Sequence, residues 1–139
     1  MRFVKKVFCR CFQGVFRLAI PVLPYKTPAV LNGIDQIPDL LVQRQIGRVL
    51  LVTDEAVEAC GLTRPLERAL AEKHIFVAVY DKTVANPTTQ NVEEARQVYT
   101  ENGCQALIGF GGGSSIDCAK IVGARVVKPK QSVAKMKGL

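Results

Sequence analysis

A chain of 139 residues is long enough to close one hydrophobic core of its own. A composition of 48% hydrophobic and 22% charged residues excludes a disordered segment, and no apolar run reaches the ~18 residues of a membrane span, which argues against a membrane partner. The net charge of +7 is uneven: residues 1–34 hold six basic and no acidic side chains, residues 118–139 hold another six and no acid, and residues 35–117 hold seven basic against twelve acidic ones, a net of −5. Two basic ends around an acidic body do not make one basic face, so no nucleic-acid partner is expected.

Three segments follow from the pattern: 1–24, 25–127 and 128–139. In the first, Phe3, Val4, Val7, Phe8, Cys11, Phe12, Val15, Phe16 and Ala19 form a helical stripe, with basic residues opposite and Pro21 and Pro24 ending it. Arg10 and Arg17 interrupt the apolar stretch that a secretory signal requires. The stripe is expected to pack on the rest of the protein or on a second subunit through residues 3–19. A basic amphipathic helix of this kind also suits a membrane surface or an organelle-targeting sequence.

In the second segment, Pro28–Leu31 reads as a short extended piece and Asn32-Gly33 as a turn. Ile34, Ile37, Leu40 and Leu41 have helical spacing, with Gly47 as the stop. Arg48–Thr53 is a continuous, branched apolar run, the pattern of a strand buried on both faces and hence of a parallel sheet. A helix broken at Gly61 follows, with Pro65 in a permitted first-turn position. Ile75–Tyr80 predicts a second strand and Asp81–Pro87 a loop. A helix capped by Asn91 and Glu94 runs to Asn102-Gly103. Gln105–Phe110 predicts a third strand. It runs directly into Gly111-Gly112-Gly113-Ser114, after which Ile116, Ala119, Ile121 and Val122 resume helical spacing. Residues 128–139 form a basic tail without a strong pattern. Alternating strands and helices predict an α/β fold with a doubly wound parallel sheet, whose ligands sit at the carboxyl ends of the strands. Asp54, the Asp81–Pro87 loop and the glycine run all fall on that edge.

Consecutive glycines between a buried strand and a helix leave backbone amides bare for an anion, and the helix N-terminus adds its partial positive charge. Ser114 is placed to cap that helix, with Asp117 completing a Ser-x-x-Asp box. A tight, well-capped turn without a ligand is the plainer reading of the same residues. Asp54, at the end of the neighbouring strand, reads either as a helix N-cap or as the acid that takes the hydroxyls of an adenosine ribose. As a ribose acid it would repel a 2′-phosphate and prefer NAD over NADP. The ordinary dinucleotide fingerprint places the glycines first and the acid later; here the order is inverted. The Walker A pattern is absent.

That inverted order, with the string GGGSSIDCAK from Gly111 to Lys120, Val52-Thr53-Asp54 at a strand end and Asn86-Pro87 before a helix, resembles the metal-dependent iron-containing alcohol dehydrogenases (group III), of the dehydroquinate synthase-like fold, from about Tyr25 onward. Glycerol dehydrogenase-like and dehydroquinate synthase-like enzymes are neighbours in that fold, and Ser114 leans toward the alcohol dehydrogenases. The resemblance implies roles: Asp54 for the adenosine ribose, Asn86 for the adenine side, Gly111, Gly112, Gly113 and Ser114 for the pyrophosphate, and Asp117 and Lys120 near the nicotinamide ribose. It also implies a C-terminal helical domain that holds iron or zinc on one Asp and three His. The single histidine, His74, reads as a helix-end residue. The expectation is an NAD-binding N-terminal domain with the helical metal domain absent, no catalytic or metal-ligating residue of its own, and no turnover; a stand-alone dinucleotide-binding module is the alternative.

The five cysteines, Cys9, Cys11, Cys60, Cys104 and Cys118, are odd in number and lack C-x-x-C spacing, which excludes a disulfide framework and a zinc knuckle. Reduced thiols and a cytoplasmic protein are expected.

Overall fold

The computed structural model describes residues 28–136 together with Arg10, Gln13 and Gly14. The apolar stripe expected over residues 3–19 lies outside the described residues. The chain divides into two compact units, Met1–Val30 and Leu31–Leu139, and the second contains the sheet.

Its elements run in the order α1 (Gln36–Gln43), β1 (Arg48–Val52), α2 (Glu55–Ala59), α3 (Arg64–Glu72), β2 (Phe76–Tyr80), α4 (Thr89–Glu101), β3 (Ala106–Gly109), α5 (Gly113–Val127) and a single 3-10 turn, Val133–Lys135. The three strands form a parallel sheet in the order β2-β1-β3. Leu50 of β1 stands between Ala78 and Leu107 in register. Val49, Leu50, Leu51 and Val52 are all fully buried, as the unbroken apolar run predicts for a central parallel strand.

Alternation along β1 divides the core in two. Leu50 and Val52 face Val92 and Ala95 of α4 and Cys118, Ala119 and Val122 of α5. Val49 and Leu51 face Leu41 of α1 and Leu66 and Leu70 of α3. Helices therefore cover both faces, which is the doubly wound arrangement. Each fully buried branched side chain contributes about 1.5–3 kcal/mol relative to exposure, so β1 anchors the whole unit.

The order β2-β1-β3 means that the chain leaves β1 toward one side and later returns to pair on its other side. A crevice opens outside the carboxyl ends where the connections diverge. Here that point lies between β1 and β3, the strands that Asp54 and Gly111 follow by two residues.

Local details differ from the sequence expectations. Pro28–Leu31 joins no strand. The left-handed residue after α1 is Gln45, φ 57, and the helix ends at Gln43, four residues before Gly47. The capping box of α4 is Thr88 with Asn91, one turn earlier than an Asn91–Glu94 pair. His74 adopts φ 57 directly after the C-cap of α3, the helix-end position expected of it. The tail is not patternless: Val133 packs against the core, and the carbonyls of Lys128, Pro129 and Gln131 accept hydrogen bonds from Arg125.

Candidate nucleotide-binding site

β1 delivers Asp54 to the carboxyl edge in extended conformation, where it caps α2: its Oδ1 accepts from the Val57 amide at 3.0 Å. The plainer reading of Asp54 as an N-cap is therefore realised. It does not exhaust the carboxylate, whose two oxygens offer about four acceptor directions. One more is taken by Ser115, whose Oγ donates to Oδ2 at 3.3 Å.

β3 runs into the glycine turn. Gly111 takes φ +122, a conformation that side chains rarely tolerate, and a Cβ there would lie 3.2 Å from Ser115 Oγ and 3.3 Å from Asp54 Oδ2. The turn thus passes directly over the Asp54–Ser115 contact. Gly112 and Gly113 are different. Gly112 has φ −76, Gly113 begins α5, and a Cβ on either would meet nothing within 4 Å. The fold itself does not demand glycine at these two positions; they leave the backbone open to something approaching from outside.

Gly112 is the N-cap of α5, and no side chain caps this helix. Ser114 lies inside the first turn, so its expected capping role is not realised. Asp117 does not complete a box: it pairs with Lys120 at 3.3 Å, both side chains being well exposed. The amides at the start of a 15-residue helix are left without a side-chain acceptor, and the positive end of the helix faces the edge of the sheet.

In front of it lies an open cleft of about 450 Å³ bordered by Asp54, Glu55, Thr83, Val84, Gly112 and Ser114, among others. The far wall is the loop after β2. Asn91 ties that loop at both ends: its Nδ2 donates to the Lys82 carbonyl at 2.9 Å and to Tyr80 Oη at 3.1 Å, and its Oδ1 accepts from the Thr88 amide at 3.1 Å. Tyr80 Oη in turn donates to Glu94 at 2.9 Å. Burial, reinforced by Glu94, pushes the Tyr80 phenol up to about 12, and the Gln90 and Tyr80 hydrogen bonds draw the Glu94 carboxyl down. Both groups keep their ordinary charge states at neutral pH. The Thr83 hydroxyl is buried beside the Cys118 thiol and has no oxygen or nitrogen partner among the described residues. Burial also raises the Cys118 thiol, so Cys118 stays protonated core packing rather than a nucleophile.

The sequence-predicted residues are thus only partly assembled. Asp54, Gly112 and Ser114 border one cleft, and a Cβ at Gly111 would meet Asp54. Asn86 is exposed and left-handed, φ 57, just past the stretch of loop that borders the cleft. Asp117 and Lys120 stand a turn further along α5, outside its border. Sequence reasoning missed Ser115 and Thr83, and paired Asn91 with Glu94 where the T-x-x-N spacing from Thr88 marks the capping box that forms.

The bare glycine turn and the uncapped helix end fit the phosphates of a dinucleotide. Metal ligation does not fit: among the described residues no three His, Cys, Asp or Glu side chains come together as a metal would need. No described helix is long and apolar enough to cross a membrane.

A doubly wound parallel sheet with a bare glycine turn at its switch point is an arrangement shared with the nucleotide-binding α/β domains. Comparison with known proteins then narrows it. Residues 30–138 match the family model of the iron-containing alcohol dehydrogenases, and the chain belongs to that family. It is 49% identical over 76 residues to a 4-hydroxybutyrate dehydrogenase of Cupriavidus necator, covering 54% of this chain and 19% of that protein. It is 35% identical over 109 residues to a long-chain primary alcohol dehydrogenase of Thermoanaerobacter ethanolicus, covering 78% and 27%. Among solved structures, a 1,3-propanediol oxidoreductase superposes with a TM-score of 0.65 at 29% identity, covering 70% of this chain and 25% of that one. The chain therefore spans about a fifth to a quarter of the length of these relatives.

Proposed function

We propose that this chain is the NAD-binding part of a metal-dependent alcohol dehydrogenase, and that the cleft between Asp54 and the glycine turn receives the dinucleotide. In this reading the amides of Gly112, Gly113 and Ser114 take the pyrophosphate at the helix N-terminus, and Asp54 takes the adenosine ribose hydroxyls with the acceptor capacity that Val57 and Ser115 leave free. Asn86 flanks the adenine side, and Asp117 and Lys120 lie toward the nicotinamide ribose. NAD is favoured over NADP, because a carboxylate repels a 2′-phosphate. Once bound, NAD supplies the hydride acceptor for an alcohol. The observation that carries the reading is the open space at Gly112 and Gly113 in front of a helix end that no side chain caps.

The described residues offer iron or zinc no seat, so the ligands are expected outside the matched segment, in a C-terminal metal domain, and this chain alone is expected to bind without turnover. The free Cys60, Cys104 and Cys118 suit a reducing cytoplasm.

The test is a fluorescence titration of the chain with NADH, followed by an assay with alcohol and added iron or zinc. NADH binding that falls about tenfold or more in Asp54→Ala, the size of losing a hydrogen bond to a charged group, with no turnover, is the expected result. Absence of NADH binding, or binding indifferent to Asp54, overturns the assignment.

A further inference from the structure

Ser115 is 1% exposed, although it stands in the first turn of a helix that begins at the protein surface. A serine there ordinarily bonds within its own turn or meets water. This one instead reaches from the first turn of α5 to the N-cap of α2 and donates to Asp54 Oδ2 at 3.3 Å, across 61 residues of sequence. The other oxygen of the same carboxylate accepts from the Val57 amide at 3.0 Å. Two donors on two oxygens, from two different elements, remove a freedom that one donor would leave. The terminal torsion of an aspartate is broad and nearly two-fold, so the N-cap bond alone would let the carboxylate plane turn. Gly111 closes the arrangement from above, where a Cβ would lie 3.2 Å from Ser115 Oγ and 3.3 Å from Asp54 Oδ2.

We propose that Ser115 is a positioning residue, a clasp that fixes the plane of the Asp54 carboxylate and thereby sets the discrimination between NAD and NADP. The inference rests on the proposal that Asp54 receives the adenosine ribose. A held carboxylate presents fixed acceptors to two ribose hydroxyls and cannot withdraw from a 2′-phosphate. A released one loses the first property and gains an escape from the second. The clasp thus acts on NADH and NADPH in opposite senses, whereas a loss of general packing would weaken both alike.

The test compares the full chain with Ser115→Ala and Ser115→Thr, after circular dichroism has confirmed that each folds. NADH and NADPH affinities are measured by fluorescence titration, and hydrogen exchange at the Val57 amide is followed by NMR without nucleotide. Ser115→Ala is expected to weaken NADH about tenfold, the size of one hydrogen bond to a charged group, and to leave NADPH equal or tighter, so that the preference ratio collapses. Val57 exchange speeds up as the carboxylate it donates to becomes mobile. Ser115→Thr keeps the hydroxyl and restores the ratio. An unchanged ratio, or an equal loss for both nucleotides, overturns the clasp, as does a full chain that does not prefer NADH. If the unsubstituted chain binds neither nucleotide, the ribose assignment fails on its own account. Val57 exchange then decides for the clasp, which unaltered protection in Ser115→Ala refutes.

Discussion

The two ends of α5 treat their hydrogen-bonding groups in opposite ways. At the N-terminal end Gly112 offers no side chain, Ser114 does not cap, and the first amides face an open cleft. At the C-terminal end Arg125 is buried and spent on partners: Nε donates to Glu93 Oε1 at 2.6 Å, Nη2 to Glu93 Oε2 at 3.3 Å, and Nη1 to the carbonyls of Lys128, Pro129 and Gln131. One end of the helix leaves backbone amides open, and at the other a buried guanidinium ties the helix to Glu93 of α4 and to the chain that follows it. A fold tolerates open donors where solvent or a ligand meets them, and saturates them where the chain must be held in place. The difference separates function from architecture within a single element: ligand affinity should depend on the first turn of α5 and stability on the last.

Arg125→Met is expected to have the largest effect on stability. It leaves Glu93 with Arg96 as its one remaining cation among the described residues and removes the donor from three backbone carbonyls at once, and should lower the melting temperature by more than about 5 °C while NADH affinity stays within about twofold. Scanning calorimetry beside a nucleotide titration checks both halves. An affinity loss as large as that of Asp54→Ala would erase the contrast between the two ends.

Gly113→Ala sharpens the comparison from the other side. A Cβ there meets nothing within 4 Å, and alanine is the better helix former by up to about 1 kcal/mol. Stability is therefore expected to hold or rise, while the methyl group stands where a phosphate would approach and NADH affinity drops about tenfold, on the scale of losing one charge-assisted hydrogen bond. A destabilised variant with unaltered binding would show that the glycine serves the fold after all.

The smallest effect is in acid. The Arg125 hydrogen bond, then that of Arg96, holds the Glu93 carboxyl below its ordinary value of 4.5. A carboxyl lowered in the folded state stabilises it fully above the unfolded value, and that contribution drains away as pH falls from 4.5 through the lowered folded value. The melting temperature should therefore fall below pH 4.5, with a shallower slope in Arg125→Met. An equal slope in both proteins would remove the pair from the account.

The sequence was most informative where a pattern is local. The apolar run Arg48–Thr53 announced a central parallel strand because burial on both faces removes polar residues from it, and the strand–glycine–helix order placed the cleft on the carboxyl edge. Caps were less legible. Thr88 rather than Asn91 caps α4, and Gly112 rather than Ser114 caps α5, because a cap is decided by one residue's backbone angle while serine, threonine and asparagine all suit it. Ser115 and Arg125 were not legible at all. Their partners lie 61 and 32 residues away, and only the β2-β1-β3 order and the packing of α5 on α4 bring them together. Asp54 shows the intermediate case: its two readings competed in the sequence, and the fold realises the N-cap while Val57 and Ser115 leave part of the carboxylate's acceptor capacity free.

The most direct test of the central claim maps NADH onto backbone amides by NMR in the full chain. Shifts concentrated at Gly111–Ser115 and Asp54–Val57, with Arg125–Gln131 unmoved, are the result this account requires. Shifts centred on the C-terminal end of α5, or none anywhere at saturating NADH, would contradict it.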